Sequence, residues 1–111
     1  GLRALDGLTD TVKLLMILGF ADQGTEDVHR GNNTAAARRS PKDVWTSARR
    51  KLDMIVAAHE LNDLRILPGN RLEKLLGDMA GLHSIRVNDQ WRVVFRWTGR
   101  GADGVRIVDY H

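Results

Sequence analysis

The chain has no cysteine, only two prolines, and one tyrosine and two phenylalanines among its 111 residues. Without cysteine, disulfide staples, thiolate nucleophiles and thiolate metal cages are excluded, so stability has to come from a packed core. A reducing cytoplasm suits such a composition. Long apolar runs are missing too: the longest, Leu14 to Phe20, stops far short of the ~20 residues a membrane-spanning helix needs. It also reads poorly as a signal peptide, because Asp6 and Asp10 precede it and no small-x-small cleavage pattern follows. The four histidines, His29, His59, His83 and His111, show no paired ligand spacing, so the sequence predicts neither a metal site nor a cofactor.

What is present is 42% hydrophobic and 28% charged residues, which fits one compact domain with a modest core. The net charge of +3 is mild, but residues 30 to 51 carry seven Arg or Lys against Asp43 alone. That local field favours an anionic partner.

Met16 to Phe20 reads as a first strand. Thr25-Glu26-Asp27 reads as a helix N-terminus and Gly31 as its end, with a mobile basic loop from Gly31 to Arg39. Ser40-Pro41-Lys42-Asp43 combines an N-cap serine, a proline at the first helical position and a carboxylate three residues after the cap, so a helix is expected from Ser40 to His59. Val44, Ala48, Leu52 and Ile55 form its buried stripe. Arg49, Arg50 and Lys51 fall largely off that stripe, either as a solvated face or as a surface for phosphate or a protein partner.

Leu67-Pro68-Gly69-Asn70 breaks the helical pattern. Four strands are then expected, at Asn70 to Leu76, Leu82 to Asn88, Trp91 to Trp97 and Val105 to Tyr110, giving an α+β fold. Alternation puts Ile85 and Val87 on one face and Arg86 on the other; likewise Trp91, Val93, Phe95 and Trp97 oppose Arg92 and Arg96. Hairpin pairing brings the arginines together. The aromatic face reads as core before it reads as a base-stacking platform. Gly99 to Gly104 spells G-x-G-x-x-G, but no helix follows, so it reads as a hairpin loop.

Cutting RNA without a metal requires one group to take a proton, one to give a proton, and cations to hold the phosphate. An imidazole at His111 suits the first task, and the forked guanidiniums of Arg86 and Arg92 suit the last.

The strings Pro68-Gly69-Asn70-Arg71-Leu72-Glu73, Gly77-Asp78, Ser84 to Arg92 and Val108-Asp109-Tyr110-His111 closely resemble the HigB toxins of the RelE superfamily, also called plasmid maintenance or host-killing proteins. The resemblance runs from about Met16 to the end. It implies a small antiparallel sheet packed on two N-terminal helices, with residues 1–15 an extension outside the fold and 16–111 the toxin domain. It further implies a cytoplasmic endoribonuclease toxin that cuts messenger RNA in the ribosomal A site and is neutralised by a helix-turn-helix antitoxin, HigA. Operator DNA would be met only through the antitoxin complex. By motif, catalysis falls to His111, Tyr110, Asp109 and Arg92. Arg86, Arg96, Lys74 and Arg71 are the expected RNA-binding residues, and the charge of the basic helix offers Arg49 and Arg50 for docking to the antitoxin or ribosomal RNA.

Two positions depart from the family pattern. Met79 stands where many relatives carry arginine after Gly-Asp, and Leu76 where many carry a polar residue. Two other readings stay open: a RelE-fold toxin that poisons a protein such as DNA gyrase, and a basic binding module without catalysis.

Overall fold

The computed structural model describes residues 17–110. The terminal His111 and Met16, the first residue of the expected first strand, lie outside them. Helix α1 spans Gln23–Arg30, α2 Lys42–Ala57 and α3 Leu61–Ile66; strands β1 (Glu73–Lys74), β2 (His83–Arg86), β3 (Trp91–Thr98) and β4 (Gly101–Asp109) follow. The strands form one antiparallel sheet in the order β1-β2-β3-β4.

Helix α1 starts earlier than Thr25 because Asp22, not Thr25, is its N-cap: Asp22 Oδ1 accepts from Thr25 N at 2.7 Å. Gly31, at φ 79°, closes it as expected from the left-handed conformation glycine tolerates. The segment after it is not a free loop. Thr34 Oγ1 donates to Asp27 Oδ2 at 2.7 Å and accepts from Ala37 N at 3.0 Å, and Ala37–Arg39 winds into a short 3-10 turn. Gly24 lets this turn approach α1, since a Cβ there would sit 2.4 Å from the Ala36 carbonyl oxygen.

Helix α2 begins one step later than the serine-cap reading, with Pro41 at the cap and no side-chain cap bond. Ser40 is buried instead, and its carbonyl accepts from Trp45 Nε1 at 3.0 Å. The stripe Val44, Ala48, Leu52 and Ile55 is buried as its spacing predicts, but Lys51 is buried with it. Its solvated placement is therefore corrected: positions 44, 48, 51, 52 and 55 together make the wider face a core helix uses. The short α3 stands where the sequence reading places no element. It is started by Asp63, whose Oδ2 accepts from the backbone N–H groups of His59 and Glu60.

The core lies between α1, α2 and one sheet face, and contains Val28, Leu52, Ile55, Ile85, Val93, Phe95, Val105 and Ile107. The expected first strand contracts to a single parallel bridge, Phe20 with Val105. The strand expected from Asn70 contracts to β1 because Arg71 takes φ 44° and interrupts the extended run. The Gly99 to Gly104 stretch is only partly loop: the turn is Gly99-Arg100, and β4 already begins at Gly101.

Hydrogen bonds from Thr34 and then Gln23 hold the Asp27 carboxyl below its ordinary 3.8. Its stabilising contribution is present above that value and is lost as pH falls through the folded pKa. Thr34→Val should therefore move the Asp27 midpoint, followed by carboxyl NMR, upward towards 3.8; an unmoved midpoint would remove the loop tether from this account.

Candidate functional site on the open sheet face

Register decides which side chains share the sheet face turned away from the helices. Val93 pairs with Ile85 and Ile107, and all three are in the core, so the flanking residues of each strand project to the opposite face. One row across that face runs Glu73, Ser84, Val94, Arg106; the next runs Arg86, Arg92, Val108. Arg86 and Arg92 are direct cross-strand partners, as the hairpin reading predicts.

Like charges in register repel across ~5 Å, so each guanidinium needs an anion. Arg86 pairs with Asp89 in the β2–β3 turn. Arg92 faces Glu73, with Nη1 3.5 Å from Oε1. The Tyr110 ring covers Arg92, its centroid 4.4 Å from the guanidinium carbon, while the Tyr110 hydroxyl donates to Glu73 Oε2 at 3.3 Å. Covered in this way, Arg92 is only 9% exposed, which rules out an ordinary solvated strand residue. Arg92 Nη1 and the Oγ of the fully buried Ser84 make no hydrogen bond. Two buried polar atoms without a hydrogen bond, one of them cationic, therefore lie on this face.

The end of β4 and Tyr110 are fixed here. Trp91 pairs with Asp109, Tyr110 N donates to Gln90 O at 2.7 Å, and Gln90 Nε2 donates to Asp109 Oδ2 at 3.0 Å. The next residue is His111, outside the described residues.

The other expected RNA-binding positions divide. Arg96 shares the face of Arg92 by alternation, but four strand residues place it roughly 13 Å farther along; it is exposed and pairs with Asp103 in register. Lys74 alternates to the other face, opposite His83, and Arg71 is exposed in the loop before β1. Burial, then Lys74 and Arg65, push the His83 imidazole below its ordinary 6.5. Of the basic pair on α2, Arg50 is exposed, whereas Arg49 Nε donates to the Val28 carbonyl at 3.1 Å and so closes the C-terminus of α1.

Sequence reasoning passed over Glu73 and Arg106. Arg106 could have been found, since it alternates with the buried Val105 and Ile107. Glu73 could not, because its meeting with Arg92 depends on β1 pairing across β2.

Behind the same sheet end, Asp22, Arg39, Ser40, Trp91 and Asp109 line a separate polar cleft of about 220 Å³. No helix among the described residues is long and apolar enough to cross a membrane.

A small α+β domain with a cationic, tyrosine-capped sheet face has the build of a RelE-like toxin. Residues 18–111 match the family described as the RelE-like toxin of type II toxin-antitoxin system HigB, and the chain belongs to that family. It is 39% identical over 95 residues to Toxin HigB-1 of Vibrio cholerae serotype O1, covering 86% of this chain and 94% of that protein. An uncharacterized protein of Haemophilus influenzae is 42% identical over 57 residues, 51% of this chain and 56% of its own length. A toxin of this type has an antitoxin as its partner.

Glu73→Gln should lower stability by about 1 kcal/mol, the upper range for a half-exposed ion pair, because Arg92 and Arg86 then face each other with one anion fewer. Inorganic phosphate should restore the urea midpoint of the variant more than it raises that of the unaltered chain. Equal gains in both proteins would show that no anion subsite exists at Arg92.

Proposed function

We propose that this toxin is a metal-independent endoribonuclease that cuts messenger RNA in the ribosomal A site, in the cytoplasm, and is silenced by a HigA-like helix-turn-helix antitoxin. Operator DNA is then reached only through the antitoxin complex. The observation that carries the reading is Arg92: a covered guanidinium whose Nη1 is ion-paired with Glu73 but makes no hydrogen bond, in register with Arg86 and beneath the Tyr110 ring.

In this reading a transcript phosphate displaces the Glu73 carboxylate from Arg92 and takes its place between the guanidiniums of Arg92 and Arg86. The attacking 2′-hydroxyl loses its proton as its oxygen bonds to phosphorus, and the departing 5′-oxygen gains one, leaving a 2′,3′-cyclic phosphate and a 5′-hydroxyl. The displaced Glu73 carboxylate and the His111 imidazole are the groups suited to taking and giving those protons. Tyr110 orders both Arg92 and Glu73, and Asp109 fixes the strand end from which His111 follows. The two guanidiniums hold the extra negative charge of the five-coordinate phosphorus, a preorganised electrostatic role. Arg106 and Arg96 extend the cationic track along the face, while Arg71, Lys74 and the exposed Arg50 lie towards ribosomal RNA or the antitoxin.

Arg92→Ala should reduce transcript cutting on programmed ribosomes by about 100- to 1000-fold, the cost of losing one preorganised charge-stabilising donor. His111→Ala should cost about 100-fold or more through the lost proton transfer. Undiminished cutting in both folded variants would end the nuclease assignment.

A further inference from the structure

Asn70 is fully buried, and every polar group it has is engaged. Its Oδ1 accepts from Lys51 Nζ at 2.6 Å and its Nδ2 donates to the Leu64 carbonyl at 3.1 Å. Its backbone carbonyl accepts from Arg86 N at 2.6 Å, and its backbone N–H donates to the Leu67 carbonyl at 3.4 Å. One residue therefore ties α2, α3 and the end of β2 together.

Lys51 is the unusual member of this group. It is 7% exposed, and burial, together with the nearby Arg50 and Arg86, draws its pKa below the ordinary 10.5. A methionine would fill much the same space without desolvating an ammonium, and such replacements are often neutral or stabilising. The amine is therefore a costly way to pack α2, and its one hydrogen bond shows what it does instead: it fixes Asn70. Asn70 stands three residues before Glu73 and is bonded to the backbone of Arg86. The residue that Lys51 fixes therefore sits at the junction of the Glu73 row and the Arg86 row, bonded to the latter through its own backbone carbonyl.

We infer that Lys51 is a positioning residue which, acting through Asn70, sets Glu73 and Arg86 against Arg92 on the phosphate-binding face. The inference rests on the nuclease reading for its kinetic consequence, but its structural consequence is independent of it.

The test uses the full chain carrying Lys51→Met. The variant should fold with a urea midpoint at or above that of the unaltered protein. Its maximal rate of transcript cutting on programmed ribosomes should fall about 10- to 100-fold, the effect expected of a misplacement on the scale of an ångström. The toxin concentration giving half that rate should stay nearly unchanged, because the cations that dock the protein are intact. In ¹H–¹⁵N spectra the amides of Arg86 and Glu73 should shift, and the Arg86 amide should exchange faster with solvent.

A folded Lys51→Met chain that cuts at the unaltered rate overturns the inference. If the unaltered chain cuts no RNA, the nuclease reading fails, and the amides alone decide: unshifted signals at Arg86 and Glu73 overturn the positioning role. Should Lys51→Met not fold, Lys51→Gln takes its place, and failure of both to fold makes Lys51 a residue of the core and overturns the role.

Discussion

The pairing of Arg86 with Arg92 across β2 and β3 is the constraint on which the rest of the molecule depends, and it is imposed from the far side of the sheet. Ile85, Val93 and Ile107 lie in one row and are all buried against α1 and α2. A slip of one residue would bring charged side chains into that core and expose its apolar ones, a change no small domain with a single core could absorb. Hydrophobic burial on one face therefore holds two cations in opposition on the other, where their repulsion alone would separate them. The molecule keeps that arrangement by giving each guanidinium a carboxylate, Asp89 to Arg86 and Glu73 to Arg92.

These two carboxylates are not equivalent. Asp89 lies three residues from Arg86 in the same hairpin and is almost wholly exposed, so its pairing is local and easily exchanged for water or another anion. Glu73 comes from a two-residue strand at the sheet edge, held by two paired positions on β2 and by the Asn70 junction that precedes it. Its ion pair with Arg92 is at 3.5 Å, too long for a good hydrogen bond, and leaves Nη1 unsatisfied. The Glu73 pair thus keeps Arg92 and Arg86 from facing each other without a neutralising charge.

The alternation of Ser84 to Val87 and Trp91 to Trp97 made the core face and the arginine pair legible in the sequence, because a period of two reads directly as faces. The α+β class followed from the same pattern. Elements set by side-chain bonding rather than periodicity were harder to read. Asp22 and Thr25 are both acceptable caps in isolation, and the choice between them is a hydrogen bond. Lys51 looked solvated because charge is a good guide to exposure except where a buried acceptor such as Asn70 awaits it. The loop from Gly31 to Arg39 looked mobile because nothing in its composition announces that Thr34 will bond Asp27 on the preceding helix. Arg92 lay on the expected face, but its burial comes from Tyr110 and Glu73, residues 18 positions later and 19 earlier in the chain.

The departures at Leu76 and Met79 bear on how the face carries its charge. Leu76 is 81% exposed at the end of β1, and Met79 lies in the adjoining 3-10 turn Gly77–Met79, so neither is required by the core. A cation at either position would border the β1 edge, beside Glu73. Here that edge carries Lys74, which alternates to the opposite face, and the positive field on the open side is displaced towards β2, β3 and β4. Arg106 stands in the same row as Glu73 at the other end of the sheet, and Arg96 lies farther along β3. An RNA backbone drawn to this surface would therefore meet its cations across the centre of the sheet and towards β4, with Glu73 marking the less positive border. Under the proposed function, that asymmetry would give a bound strand a preferred side of approach without any contact to its bases.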